Sequence, residues 1–223
     1  MKLRLLDQKE EVPNVRTFIF EAEEPLTWQP GQYMHYIFPH DNPDSRGTER
    51  WFTISSAPYE GHVQITTRFA GSDSSSFKKA LLNLKSGDEI EADGPKGKFV
   101  LQEGDHHHVL IAGGIGITPY HSMLKQLAHD NKLSHATLLY ANNDENFVFD
   151  DELESIAAQD STFHESKFVG RRITDEDLKA YAAEDNSIFY LSGPEPMVEN
   201  YEQVLAGLDV PAERVKTDYF PGY

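Results

Sequence analysis

Val109-Leu110-Ile111-Ala112-Gly113-Gly114-Ile115-Gly116-Ile117-Thr118-Pro119 decides how the second half of the chain is read. Its apolar run reads as a strand buried on both faces. The glycines after it let a backbone come close to a ligand, and Thr118 then Pro119 read as the N-cap and first residue of a helix. A strand, turn and helix of this kind aims backbone amides at an anion lying over the carboxyl edge of a sheet. The spacing is not the six-residue Rossmann glycine pattern, and an unliganded corner can use the same glycines.

Downstream the rhythm repeats. β runs at 107–112, 136–141, 166–170, 187–192 and 215–219 alternate with helical patterns near 119–130, 151–159, 175–183 and 195–208. That alternation predicts an α/β domain with a five-stranded parallel sheet. Leu191-Ser192-Gly193-Pro194 ends the fourth run and puts a small hydroxyl and a tight turn on the same edge. Thr174 to Asp177 reads as a capping box, and Asp150-Asp151-Glu152 as acids opening a helix.

Upstream, from Leu3 to Val100, short extended runs are punctuated by turns. Runs at 2–8, 15–21, 32–38, 49–55, 62–69 and 89–92 predict an N-terminal antiparallel six-stranded β-barrel, with one inserted helix from Ser75 or Ser76 to about Leu84. Charge changes where the rhythm does: residues 1–104 carry 12 Lys and Arg against 16 Asp and Glu, and 105–223 carry 8 against 21. A boundary at Gly104 is expected, with domains 1–104 and 105–223.

The 223 residues carry a net charge of −17, which argues against nucleic acid or an anionic membrane surface as partner. No apolar run reaches the roughly 20 residues that cross a bilayer, and Met1 to Asp7 lacks a signal-peptide pattern, so a soluble, cytoplasmic protein is expected. Cysteine is absent, which excludes a thiolate-held iron–sulfur cluster in this sequence. Electron chemistry would need a borrowed cofactor.

Arg50-Trp51-Phe52-Thr53-Ile54-Ser55-Ser56-Ala57-Pro58 suits one. On a strand Arg50, Phe52 and Ile54 share one side, while Trp51, Thr53 and Ser55 share the other. An arginine fork can hold a phosphate, and hydroxyls can hydrogen-bond a polar ring edge. The hydroxyl-rich run from Ala70 to Ser76 ends at a helix start with Lys78 and Lys79 in its first turn, which favours a phosphate or simple N-capping. His106-His107-His108 offers adjacent rather than spaced ligands, so no metal site is expected. Phe147 and Phe149 are read as core.

Taken in order, these motifs resemble the ferredoxin–NADP reductase superfamily over essentially the whole chain. Arg50-Trp51-Phe52-Thr53 resembles its Arg-x-Tyr/Phe-Ser/Thr flavin motif, Pro30-Gly31-Gln32-Tyr33 its Pro-Gly-Gln-Tyr strand, and Gly94-Pro95-Lys96-Gly97-Lys98-Phe99 its Gly-Pro-x-Gly-x-Phe turn. The loop from Gly113 to Pro119 is similar to its nicotinamide-side glycine loop, Ser192-Gly193-Pro194 to its Cys-Gly-Pro, and Asp218-Tyr219-Phe220 to its terminal Glu-x-Phe. Ser192 stands where cysteine is usual, and Asp218 shortens the usual acid.

The resemblance implies FAD, with FMN as the alternative, and NADH or NADPH as substrate. Arg50 would meet the flavin phosphate, Phe52 and Trp51 would lie by the ring, and Thr53 would bond near its N5. Ser55, Thr67, Arg68, Ser75, Ser76 and Lys78 would complete the flavin side. Gly114, Gly116, Thr118, Ser192, Gly193 and Pro194 would cradle the nicotinamide coenzyme, and Phe220 would shield the flavin. Thr53, Ser192 and Phe220 form the catalytic set, working by alignment.

The expected function is an NAD(P)H-dependent flavoprotein reductase passing electrons to a separate acceptor, a ferredoxin or flavodoxin drawn by Lys78, Lys79, Lys96 and Lys98. A free-flavin or ferric reductase, and a non-catalytic flavin-containing electron-transfer subunit, remain alternatives. NADH is favoured, since residues 140–145 end in amides and acids, although Arg171 and Arg172 could reach a 2′-phosphate.

Overall fold

The computed structural model describes residues 1–220, with side chains through Tyr219. Strands β1 (Lys2–Val12), β2 (Val15–Ala22), β3 (Tyr33–Ile37), β4 (Glu49–Thr53), β5 (Val63–Arg68) and β6 (Glu89–Lys96) form one antiparallel sheet in the order β4-β3-β6-β1-β2-β5. Just past β4, the Ser55 amide donates to Gln64 O of β5 at 2.9 Å. The two outer strands therefore meet, and the sheet closes into a barrel with few free edges. Alternating residues such as Leu3 and Leu5, Phe18 and Phe20, and Met34 and Tyr36 fill its interior. Helix α1 (Ser76–Leu82) adds Phe77 and Leu81 to that core.

Strand β6 runs four residues beyond the expected end, because after a register irregularity Tyr33 still pairs with Lys96. Gly94-Pro95 thus lies inside the ladder rather than in a free turn.

Strands β7 (His107–Gly113), β8 (Ala136–Asn142), β9 (His164–Val169), β10 (Ser187–Pro194) and β11 (Val215–Phe220) are parallel, in the order β11-β10-β7-β8-β9. Leu110, Ala112, Leu138, Tyr140, Ile188 and Tyr190 pack with helices α2 (Ile117–His129) and α3 (Asp150–Ala157) on one face. Val109, Ile111, Leu139, Phe189 and Leu191 pack with α4 (Asp175–Ala182) and α5 (Glu195–Gly207) on the other. The capping box at α4 is present: the Asp177 amide donates to Thr174 Oγ1 at 3.4 Å and the Thr174 amide to Asp177 Oδ2 at 2.8 Å. Phe147 and Phe149 are buried in the core.

Thr118 is not an N-cap. Gly114–Gly116 already form a 3₁₀ turn, so α2 starts earlier, at Ile117, with Gly116 at its N-cap. The Thr118 hydroxyl donates back to Ile115 O at 3.1 Å, and Pro119 sits inside the first turn, where a missing N–H costs nothing.

A shared apolar seam joins the two sheets. Phe99 and Val15 belong to the same cluster as Leu110, Tyr120 and Met123. Phe99 packs against Tyr120 and Tyr190, with ring centroids 5.9 and 5.7 Å away. The Gln102 amide donates to the Tyr190 hydroxyl at 2.8 Å.

Gly116 closes the corner between β7 and α2 against β10: a Cβ there would stand 2.2 Å from Ser192 O. That contact is with backbone and cannot swing aside. Gly116→Ala should therefore lose about 1–3 kcal/mol of unfolding free energy, measured by urea melts; a midpoint equal to wild type would show that the corner gives way freely.

Candidate cofactor cleft

The order of the parallel sheet reverses between β7 and β10, since the chain moves outward through β8 and β9 and then returns to the other side of β7. Open α/β sheets bind ligands outside the carboxyl ends at such a point. Two turns lie there, Gly113–Gly116 and Ser192–Pro194. They interlock through Met197, whose sulfur would stand 2.2 Å from a Cβ on Gly113. Gly114 differs from its neighbours. It has a left-handed φ of 53°, and the nearest atoms to a Cβ would be Asn142 Oδ1 at 3.8 Å and Arg68 Nη2 at 4.0 Å. Tyr140 donates its hydroxyl to Gly114 O at 3.1 Å and holds the turn from below.

Arg68 comes from the barrel, at the end of β5. Its guanidinium therefore reaches across to the glycine turn of the parallel sheet. Lys78 donates to Arg68 O at 2.9 Å and ties the end of β5 to α1. Thr67, beside it, is buried.

On β4, pairing with β3 fixes which way each side chain points. Arg50 and Phe52 lie opposite Tyr36 and Met34, and Trp51 and Thr53 opposite His35 and Tyr33. Phe52 packs on Tyr36 and Phe77, and the Arg50 guanidinium sits 5.5 Å from the Phe77 ring centre. One Arg50 nitrogen donates to Arg46 O at 2.7 Å. Trp51 turns to the outer face, stacked on His35 at 4.2 Å and 54% exposed, so it does not join Arg50 and Phe52. Ser55 is also not brought to the cleft: it is buried, donating to Gln64 O at 3.2 Å with its oxygen 3.0 Å from Thr66 Oγ1.

The start of α1 is already satisfied by the protein's own groups. Ser75 accepts from the Lys78 amide at 3.3 Å, and the Ser76 amide donates to Asp44 Oδ2 at 2.8 Å. The Ser76 hydroxyl oxygen lies 2.9 Å from His40 Nε2 and accepts from the Asp44 amide at 2.9 Å. The Ser76 amide bond holds the Asp44 carboxyl low, at about 2. An anion expected at this helix start meets a carboxylate there instead. Asp44 lies 32 positions from Ser76, beyond the reach of any local sequence pattern. Of the other lysines expected to draw an acceptor, Lys79 donates to Ser72 O at 2.6 Å and Lys96 pairs with Asp93 at 2.6 Å.

Ser192 is fully buried, and its hydroxyl has no hydrogen-bond partner among the described residues. It lies in register with Asp218 on β11, which places both on the face toward α2 and the barrel. Burial pushes the Asp218 carboxyl up to about 7. Phe220 pairs with Pro194 through its backbone, but its side chain, and with it the expected shielding role, lies outside the described residues. An orphaned hydroxyl, an open glycine turn and an arginine reaching over it fit a phosphate-bearing dinucleotide.

Among the described residues no group of three His, Asp or Glu side chains could hold a metal ion, and no helix is long and apolar enough to cross a membrane. His107 is engaged by Glu184 at 2.8 Å and Thr137 at 2.9 Å.

Comparison with known proteins agrees with this geometry. Residues 2–101 match the oxidoreductase FAD-binding domain family, and residues 110–203 match the oxidoreductase NAD-binding domain family. The chain belongs to the ferredoxin–NADP reductase superfamily. It is 28% identical, over 95% of its length, to the ferredoxin reductase component of 3-ketosteroid-9-alpha-monooxygenase from Rhodococcus rhodochrous, of which it covers 62%. The FAD/NAD-binding domain of nitric oxide dioxygenase from Vibrio cholerae superposes with a TM-score of 0.84 at 25% identity, over 98% of each chain. A Neisseria gonorrhoeae ferredoxin NADP+ reductase with bound FAD and NADP shares the fold, with a TM-score of 0.82 at 18% identity, over 98% of each chain. The chain spans about half the length of several other curated relatives it matches.

Asp218, in register with Ser192 beside the cleft, should give the protein a pH signature. A carboxyl raised in the fold keeps its proton there while the unfolded chain has already lost it, so stability falls as pH climbs from about 4 to about 7, and the cost persists above. Asp218→Asn removes that ionisation. Its melting temperature should exceed wild type by a margin that widens from about pH 5 to about pH 8; a constant gap would show that Asp218 ionises freely.

Proposed function

We propose that this chain takes a hydride from a nicotinamide dinucleotide and passes electrons, through FAD held against the barrel, to a separate one-electron acceptor. The observation that carries the proposal is Arg68 of the barrel standing beside Gly114 of the parallel sheet, because it brings a flavin-side strand and a coenzyme-side turn into one cleft. When bound, the flavin supplies the conversion of an electron pair into single electrons. The residues supply alignment: Gly114 and Gly116 with Thr118 on the coenzyme side, Arg50 and Phe52 on the flavin strand with Thr53 buried on its opposite face at the strand's end, and Ser192 with Gly193 and Pro194 between them.

With no cysteine, these 223 residues hold no thiolate-bound iron–sulfur acceptor of their own. A ferredoxin or flavodoxin is the natural class, in keeping with the relative whose name calls it a ferredoxin reductase component. Lys78 and Lys79 each give a donor to a backbone carbonyl, and Lys98 is exposed, so the barrel offers basic side chains to an acidic partner. Residues 1–104 form the flavin domain and 105–223 the nicotinamide domain, and the cytoplasm is the compartment that supplies the coenzyme.

NADH is the coenzyme we assign. Arg171 forks onto Asp177 at 2.9 and 3.3 Å and lies 4.4 Å from the Phe168 ring centre, so it is engaged within the protein. Asp144, after β8, is held below the usual carboxylate range, chiefly by the Asn146 amide. An acid near the second strand suits a ribose hydroxyl and repels a 2′-phosphate.

Anaerobic titration of the purified, flavin-loaded protein tests both statements. NADH should bleach the visible flavin band stoichiometrically, with kcat/KM at least about tenfold above NADPH, a difference of about 1.4 kcal/mol. Protein that stays yellow with both coenzymes would refute the reductase assignment, and equal turnover would refute the preference.

A further inference from the structure

His121 is fully buried on α2, five positions past Gly116. Its Nδ1 lies 2.6 Å from Ser55 O and its Nε2 lies 3.1 Å from Glu152 Oε2. Both neighbours present an acceptor oxygen to the ring. Phe149 stacks on it at 3.7 Å and 16°, which fixes the plane of the ring. One bond goes to the barrel and the other to α3, and the ring is the rivet between them.

The place of that rivet matters. Ser55 is two positions past Thr53, on the segment that leaves the flavin strand, and α2 begins directly after the coenzyme turn. The neighbouring residue repeats the attachment: Ser122 donates its hydroxyl to Ser56 O at 2.5 Å. The path from Gly116 to Thr53 therefore runs through one helical turn and a half, two side-chain bonds and two residues of strand. Few groups stand between the coenzyme cradle and the flavin edge.

We propose that His121 is a positioning residue for hydride transfer, setting the height of the flavin strand against the coenzyme turn through its bond to Ser55 O. The inference rests on the reductase reading. Glu152 is the anchor that orients the ring. It also accepts from Lys125 at 3.1 Å on α2 and from Lys9 at 3.2 Å on β1, and Lys125 continues to Glu60 at 2.6 Å on the barrel. The His121 hydrogen bond is the chief reason the Glu152 carboxyl is held far below its usual range, with burial opposing it. Because two lysines still neutralise Glu152, loss of the imidazole leaves no bare buried charge, and the fold should persist.

The test compares His121→Leu, which fills the space without donors, with His121→Asn, whose amide reproduces the Nδ1 donor, and His121→Gln, whose amide reproduces the reach toward Glu152. Flavin content, melting temperature and the anaerobic rate of flavin bleaching at saturating NADH are measured for each. His121→Leu should retain its flavin but bleach about tenfold or more slowly, with the NADH half-saturation concentration within about threefold of wild type. His121→Asn should recover most of the rate and His121→Gln should not. A Leu variant that bleaches at the wild-type rate overturns the proposal, as does a loss confined to NADH affinity. Should the Leu variant fail to fold, equal rates for Asn and Gln overturn it. Wild-type protein that neither coenzyme bleaches would instead defeat the reductase reading on which the proposal stands.

Discussion

Between β7 and β10 the parallel sheet turns back on itself, and a sheet that does so must leave its carboxyl edge open at that place. Everything else in the cleft is arranged around the opening. The two turns that border it come together where Gly116 has no side chain against the Ser192 backbone, and Met197 fills the space left by Gly113 and Gly193. Once they are together, α2 leaves the corner in a fixed direction. Its flank then offers Tyr120 and Met123 to Phe99, and His121 and Ser122 to the barrel segment after β4. The barrel is thus seated by a helix whose origin is the glycine turn itself.

Electrostatics reinforce that seat. The chain has 37 acids against 20 lysines and arginines, and some of those few cations gather at this seat. Three basic groups, His121, Lys125 and Lys9, gather round Glu152. Breaking one member of a partly buried group costs most when a charge is left alone, and this one is divided among several partners. Elsewhere acids act locally: Asp177 serves the start of α4 and Arg171 together, and Asp44 serves the start of α1. At α1 the Asp44 carboxylate takes the place an external anion would have at a free helix start.

Strand and helix positions were legible in the sequence because period-two and period-3.6 patterns survive wherever one face is buried, as in β1, β2 and α5. In the sequence Gly94-Pro95 reads as a turn that ends the strand begun at Glu89, and only the pairing of Tyr33 with Lys96 carries that strand on to Lys96. Thr118 looked like a cap because a hydroxyl before a proline usually is one; only the turn at Gly114–Gly116 shows that the helix has already begun. Glycines at the switch point were recognisable, but not that Gly116 serves packing and Gly114 leaves space. Arg68 could be nominated from the end of its strand, while its reach across to the other sheet is a property of the seam. His121 carried a faint signal, a lone imidazole in the apolar run from Ile117 to Leu124, whose meaning depends on Ser55 and Glu152, 66 and 31 positions away.

Only two tryptophans occur in the chain, and the fold gives them opposite surroundings. Trp51 stands in water, stacked on an imidazole, where emission is red-shifted and readily quenched. Trp28 is buried and donates to Ser56 O, the carbonyl that Ser122 also grips from α2. The blue component of the protein's own fluorescence therefore arises at the junction of the two sheets, and gives an optical gauge of how tightly they are clasped.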